Sequence, residues 1–236
     1  TEADAEHFRQ DRSGRKFYDP EFKSCTKFIA HVARGQFGFQ GADLAELIHW
    51  ADIVDGAQYP DPQTAVEMKH PAMQIAMVIE GTRTKGFVAE LIPHLTSKPL
   101  AEIAALPVIT DAFKSLYAHH LRSIDLIGSR AQLRDGVLYF DLSDQESEGF
   151  NKFIPYYLFP QATYSVGVSL STFRAKISVG SNPWSSNPRT HNLAALCERH
   201  GGGGHPVVGA ISLEPKDLPR AREIAQEIAR ELRGGS

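Results

Sequence analysis

The stretch of sequence that decides the fold is LCERHGGGGHPVVGA, residues 196–210. Its four consecutive glycines, 201–204, are unusual inside a globular domain, because glycine loses more backbone freedom on folding than any other residue. A helical pattern at 192–199 precedes them and an apolar strand pattern at 207–213 follows. This context disfavours a flexible linker, since Gly/Ser linkers are usually flanked by polar sequence.

A bare glycine loop between a helix and a strand exposes several backbone N–H donors together, and such donor clusters bind anions. The histidine that ends the run adds another donor, or a cation when it is protonated. The sequence therefore predicts a site for a phosphate or a nucleotide end at Gly201, Gly202, Gly203, Gly204 and His205.

Residues 131–236, with a strand, a helix, the GGGGH motif, a small-residue strand and a terminal helix, resemble the DHHA1 substrate-binding domain of the DHH phosphoesterases. That superfamily includes single-strand exonucleases, oligoribonucleotide phosphatases and cyclic-dinucleotide phosphodiesterases. The resemblance implies that the GGGGH segment contacts the phosphate or the end of a nucleotide substrate.

The composition is that of an ordinary soluble protein, with 236 residues, 42% hydrophobic residues and a formal net charge of −3. It lacks the basic excess that is typical of long duplex binders. Cys25 and Cys197 do not form a CxxC pair, which favours free thiols over a disulfide or a metal–thiolate cluster. No apolar run is long enough to span a membrane. We expect a cytoplasmic protein without a membrane partner, and self-association as a homodimer stays open.

The apolar spacing predicts a helical first half and an α/β second half. The expected helices cover 24–33, 41–50, 62–79 with a break at Pro71, 84–95, 99–105, 107–128 and 215–232; the expected strands cover 51–56, 137–142, 163–170, 173–179 and 207–213. The predicted fold class is α/β. It comprises the C-terminal part of a Rossmann-like DHH domain (1–95), a helical linker (96–130) and a DHHA1 domain with a mixed sheet (131–236).

The resemblance also implies a two-ion metal site, usually of manganese, that activates water and neutralises phosphoryl oxygens. The early Asp-x-Asp and Asp-His-His motifs of the family do not occur in this sequence. The one His-His pair, His119-His120, follows Ala118 in a helical pattern and is expected on a solvated helix face. We therefore expect the chain to start just after the Asp-His-His segment.

A later aspartate of the family follows a strand in a pattern that 54–59 (VDGAQY) resembles. Asp55 is accordingly the predicted metal ligand and Asp52 the second choice. A role of both carboxylates in a turn or a helix cap remains the alternative.

The family often carries an arginine in a Ser-x-Arg-Ser pattern on the strand before the glycine loop, but here 178–181 reads SVGS. Another cation must take this role, or the substrate differs. Arg174 and Arg189 are the predicted substrate-binding residues, because a guanidinium can bind phosphate in bidentate fashion. Lys176 is a further candidate. Asn182 and His191 are expected either as additional donors or as ordinary surface residues, and Trp184 either as a ring that stacks on a base or as a packed loop aromatic.

The sequence leaves two candidate functions open. The first is a manganese-dependent DHH-type phosphoesterase that acts on a nucleotide or a short single-stranded oligonucleotide, with its early metal ligands outside this chain. The second is a non-catalytic module that binds nucleotides or nucleic acid. The substrate stays open between a cyclic dinucleotide, an oligoribonucleotide, single-stranded DNA and a smaller phosphate ester.

Overall fold

The computed structural model of the chain describes Glu6 and residues 8–146 and 149–234. By its contacts the chain divides into two units. One comprises the described residues up to Tyr59 together with His70–Asp111, and the other comprises Pro60–Lys69 and the described residues from Ala112 onward. The three-part organisation with boundaries at 95 and 130 stays a prediction.

Helices dominate the first unit and the segment that leads to the sheet. In chain order the helices before the sheet are α1 (Cys25–Phe37), α2 (Ala45–Asp55), α3 (Pro62–Val66), α4 (Pro71–Gly81), α5 (Phe87–Leu95), α6 (Leu100–Ala104) and α7 (Pro107–Arg130). Helix α1 begins where expected, because the Ser24 side chain caps it by accepting the Lys27 N–H at 3.2 Å. The break at Pro71 is confirmed, with Pro71 in the first turn of α4.

The strand predicted at 51–56 was wrong. Helix α2 continues through this segment to Asp55, and the Gly56 N–H bonds to the Asp52 carbonyl at 3.1 Å. The apolar residues Leu47, Ile48, Ala51 and Val54 follow helical spacing, and α2 packs on α1 and α4. A short apolar run does not distinguish a strand from a buried helix by its periodicity alone.

The second unit contains a six-stranded mixed sheet. Its strands are β1 (Gln132–Arg134), β2 (Val137–Glu146), β3 (Tyr164–Leu170), β4 (Ala175–Ser181), β5 (Gly203–His205) and β6 (Val208–Leu213). Their order is β1-β2-β3-β4-β6-β5, and only β2 and β3 run parallel to each other. The predicted α/β class with a mixed sheet is confirmed.

Helices α9 (Leu193–Glu198) and α10 (Leu218–Leu232) cover one face of this sheet, and α8 (Ile154–Leu158) lies between β2 and β3 in the chain. Side chains alternate between the two faces of a strand. The covered face holds the apolar core, which includes Val166, Val168, Ile177, Val179, Ile211, Ile224 and Ile228. The other face of β3 and β4 carries small or polar residues, namely Ser165, Gly167, Ser169, Lys176, Ser178 and Gly180.

The prediction that His119 and His120 both lie on a solvated helix face was wrong for His120. His119 is exposed, but His120 is only 5% exposed, and its Nε2 lies 2.7 Å from the Val66 carbonyl oxygen. His120, Ser123 and Ile127 form a buried stripe on α7, at the i, i+3, i+7 spacing of one helix face. This spacing was the available sequence signal.

The two cysteines are free, as the sequence predicted, with Cys25 exposed and Cys197 buried. Among the helices that the structure describes, none has the combination of length and apolar composition that a membrane crossing requires.

We expect the chain to lose stability as the pH falls below 6.5, the ordinary pKa of histidine. Burial lowers the pKa of His120 by more than its hydrogen bond to the Val66 carbonyl raises it, and repulsion from His119 adds to the lowering. Between the two pKa values the unfolded chain binds a proton that the folded chain does not bind, so the free energy of unfolding decreases on acidification. The contribution is at most about 1.4 kcal/mol per pH unit.

Urea unfolding at about pH 7.5 and about pH 5.5 measures this effect, because histidine titrates in that interval. The variant His120→Gln should show a smaller loss on acidification, and the control His31→Gln, at an exposed histidine away from His120, should behave like the unmodified chain. Equal losses in all three proteins would contradict the assignment to His120.

Candidate functional site

The first two glycines of the run cap the C-terminal end of helix α9. The Gly201 N–H bonds to the Glu198 carbonyl at 3.1 Å, and the Gly202 N–H bonds to the Cys197 carbonyl at 2.9 Å. Gly201 has a φ of 76°, which favours glycine. Two of the four expected donors are thus occupied within the protein, so the run is not the fully exposed anion loop that the sequence suggested.

The rest of the run forms the edge strand β5, which pairs antiparallel with β6. A Cβ atom at Gly202 would lie 2.3 Å from the Ala210 carbonyl oxygen. One at Gly204, where φ is 155°, would lie 2.2 Å from the Val208 carbonyl oxygen. Close approach to β6 therefore requires these two glycines. Gly203 differs, because a Cβ atom there would have no neighbour within 4 Å.

The turn between β5 and β6 is anchored from two sides. The Ser181 N–H and hydroxyl donate to the Val207 carbonyl at 3.1 and 2.9 Å, and the Leu193 N–H donates to the Pro206 carbonyl at 3.0 Å. The pairing register places His205 opposite Val208 and Val208 opposite Gly180. His205 is therefore an exposed residue on an anchored hairpin. Its register position is level with Gly180, on the same face of the sheet.

A cavity of about 280 Å³ lies on that open face. Its floor is made of small or polar residues of the three inner strands: Ser165, Ser169, Lys176, Ser178, Gly180 and Ala210. Gly203 and Gly204 border it from β5, and Phe140, Phe150 and Lys152 line it from the segment around β2. The rings of Phe140 and Phe150 meet edge to face, with centroids 5.3 Å apart. The cavity thus combines hydroxyl groups, lysines and aromatic rings.

Lys176 is the half-buried cation of the cavity floor. Burial lowers the pKa of its ammonium group, and the nearby positive charge of Arg174 acts in the same direction. Within the described part of the chain, no carboxylate pairs with Lys176. Its partner in the register is Ser169, which is only 5% exposed and lines the cavity. No described residue lies within hydrogen-bond distance of the Ser169 hydroxyl.

Tyr156 explains why glycine stands at position 180, where the family often has an arginine. The Tyr156 hydroxyl lies 2.8 Å from the Ser165 hydroxyl oxygen, and a Cβ atom at Gly180 would lie 2.8 Å from the same Tyr156 oxygen. The tyrosine is fully buried, and burial raises the pKa of its hydroxyl. No side chain fits at Gly180 beside this pair. Sequence reasoning missed Tyr156, because nothing in 154–158 connects it to the glycine run.

The two predicted arginines do not line the cavity. Arg174 lies in the β3–β4 turn, with its guanidinium carbon 5.1 Å from the centroid of the Phe173 ring. Arg189 is exposed in the loop before α9. Of the three cations that the sequence proposed for this role, only Lys176 lines the cavity.

The other polar candidates have internal partners. Asn182 is buried, and its amide donates to the Pro160 and Ala162 carbonyls at 3.1 and 2.9 Å. Trp184 packs on Phe153, with ring centroids 5.5 Å apart. These contacts anchor the loop that follows β4.

The predicted metal ligands lie in the first unit. Asp55 is exposed at the end of α2, so it lacks the strand-end position on which its prediction was based. Asp52 accepts hydrogen bonds from the Lys27 ammonium at 2.7 Å and from the Ser24 hydroxyl at 3.1 Å. The bond from Lys27 lowers the pKa of Asp52, and the bond from Ser24 adds to this effect.

Among residues 8–146 and 149–234, no group of three or more His, Cys, Asp or Glu side chains is arranged to hold a metal ion. The described residues therefore do not fit a two-ion site. Asp55 as a metal ligand stays a prediction.

No family model matches the sequence, and no curated protein does. A solved structure named pGpG-specific phosphodiesterase PggH, from Vibrio cholerae, has a TM-score of 0.76 and 19% identity, with 96% of this chain and 78% of that chain covered. The chain therefore shares the fold of that phosphodiesterase.

Two other solved structures are less similar. The DHH domain of a member of a family of ribosomal proteins has a TM-score of 0.44 and 11% identity, with 79% of this chain and 50% of that chain covered. An exopolyphosphatase-related protein from Bacteroides fragilis has a TM-score of 0.37 and 16% identity, with 80% and 57% coverage.

We expect alanine substitutions within the glycine run to separate structural from open positions. Gly204→Ala should destabilise the fold by more than about 1 kcal/mol, because the new Cβ meets the β6 backbone in a strained conformation. Gly203→Ala should leave stability nearly unchanged, since its Cβ points into open space. Urea unfolding of both variants measures the difference. Equal destabilisation would show that Gly203 is also needed for packing.

Proposed function

We propose that this chain contributes the nucleotide-binding part of a DHH-type phosphoesterase, which hydrolyses a phosphodiester or phosphomonoester bond in a short nucleotide. The observation that carries this proposal is the cavity bordered by the GGGGH segment, on the open face of the sheet. The PggH-like fold supports it, because that protein is named for action on pGpG.

The cavity suits one nucleotide unit better than a long strand. Its volume of about 280 Å³ is at the lower end of small-molecule sites. The formal net charge of −3 offers no long basic surface for a polynucleotide backbone. A short, phosphorylated nucleotide therefore matches both the size of the site and the charge of the protein.

Each border of the cavity has a proposed role. The open side of Gly203 lets a ligand approach the β5 backbone, and the exposed imidazole of His205 is available to donate to a phosphate oxygen. Phe150 offers an aromatic surface to a nucleobase, since rings of this kind stack on bases without regard to sequence.

Two manganese ions remain part of the proposal, and they would supply an activated water and neutralise phosphoryl charge. The described residues do not form their site, so we assign no hydrolytic step to them. The same observation favours the second candidate function, a module that binds nucleotides without turning them over.

We expect His205→Ala to weaken the binding of pGpG by roughly 5- to 150-fold, the effect of losing a hydrogen bond to a charged group. Its melting temperature should hardly change, because the side chain is exposed. Isothermal titration calorimetry with pGpG and with guanosine monophosphate measures the affinity. The control is His119→Ala, an exposed histidine on α7. Undetectable binding of both nucleotides to the unmodified chain would refute the proposed function.

An assay with pGpG and manganese separates the two candidate functions. We expect binding without turnover by this chain, because its described residues hold no metal-ligand cluster. Hydrolysis at about 1 per second or faster, an ordinary enzymatic rate, would show that the chain completes a catalytic site by itself. Mass spectrometry of the products then identifies the bond that is cleaved.

A further inference from the structure

The end of the cavity that lies away from His205 carries a second set of polar groups. Ser169 and Lys176 face each other across β3 and β4, and Lys152 lines the same cavity. We propose, on the basis of the proposed function, that Lys176 and Ser169 form a second anion subsite, which binds a terminal phosphate of the nucleotide.

The polar groups at this end are unusual because they have no protein partners. Within the described residues, neither the Lys176 ammonium nor the Ser169 hydroxyl has a hydrogen-bond or ion-pair partner. Buried polar side chains are normally hydrogen-bonded, and charged ones are normally paired. A serine hydroxyl and a half-buried ammonium that line one cavity without protein partners therefore point to an anionic ligand.

Tyr156 accounts for the position of this cation. Its hydroxyl and that of Ser165 exclude any side chain at Gly180, so this position cannot carry a cation. Lys176 lies four residues earlier on β4 and on the same face, because side chains alternate along a strand. At the usual rise per residue the cation is displaced by about 13 Å along the sheet. The phosphate that it binds therefore lies farther from His205 along the strands than a phosphate bound at Gly180 would.

A single phosphate group cannot contact His205 and Lys176 at the same time. His205 is aligned with Gly180, so it lies four residues along the strands and two strands across from Lys176. These offsets correspond to about 13 Å along and about 10 Å across the sheet. The space between them has a floor of Ser178 and Ala210, paired with each other, with Phe140 at its side. A nucleoside fits this space when one of its phosphates is near His205 and the other is at Lys176.

The subsite predicts a preference for dinucleotides with a terminal phosphate. The unmodified chain should bind pGpG more tightly than GpG by roughly 10- to 150-fold, the range for a charge-assisted hydrogen bond. In Lys176→Met this preference should fall to about threefold or less, while GpG binds as before. Lys176→Arg should keep most of the preference for pGpG over GpG, and Ser169→Ala should reduce this preference in part.

Calorimetry of both dinucleotides with each variant forms a double cycle that removes effects common to both ligands. The control Arg189→Met removes an exposed cation outside the cavity and should keep the full preference. Melting curves establish that each variant is folded. Should Lys176→Met not fold, Lys176→Gln and Ser169→Ala provide the same comparison.

Equal binding of pGpG and GpG by the unmodified chain, or an undiminished preference in folded Lys176→Met, would overturn the subsite and leave the proposed function standing. Failure to bind either dinucleotide would overturn both. Titration with inorganic phosphate distinguishes the source of the anion. Competition by free phosphate against pGpG that disappears in Lys176→Met supports the subsite, and competition that persists in this variant contradicts it.

Discussion

The constraint on which the structure depends is the alternation of side chains along β3 and β4. Residues at every second position, such as Val166, Val168, Ile177 and Val179, pack under α9 and α10 in the apolar core. The intervening positions hold serine, glycine and lysine and line the cavity, with Tyr156 of α8 packed beside Ser165 and Gly180. Because the side-chain period of a strand is two, a shift of one residue in register would move the serines into the apolar core and the valines to the cavity face. Stability of the core and openness of the cavity are therefore determined together.

The five residues of the GGGGH segment contribute both to the packing of the sheet and to the border of the cavity. Gly201 and Gly202 end α9, and Gly202 and Gly204 allow β5 to lie against β6 at a distance that excludes a side chain. Gly203 alone faces open space beside the cavity. Ser181 then anchors the following turn and so determines where His205 is presented. A motif that resembles a binding loop is in this protein first a packing element, and its proposed binding surface is one edge of the hairpin.

The polar face of the sheet shows how a site changes while its backbone is kept. The fold matches PggH over 96% of the chain at only 19% identity, so few side chains are shared. At Gly180 the Tyr156–Ser165 hydroxyl pair fills the space beside the strand, and the cation of the floor is Lys176. The described residues provide no metal cluster, and Asp52 is occupied by Lys27 and Ser24. Under the proposed function, the cavity on this face of the sheet is the place where the chain recognises its nucleotide.

The sequence by itself determined the α/β class, most helices and strands, the cap at Ser24 and the place of the GGGGH segment between a helix and a strand, because local spacing and capping residues carry that information. It failed at 51–56, where a short apolar run fits either a helix or a strand, and at His120, whose partner Val66 is distant in the chain. It also proposed Arg174 and Arg189, which do not line the cavity. Only the tertiary structure selected Lys176, Ser169 and Tyr156. These residues meet through strand register and through the packing of α8, and neither is encoded in local periodicity.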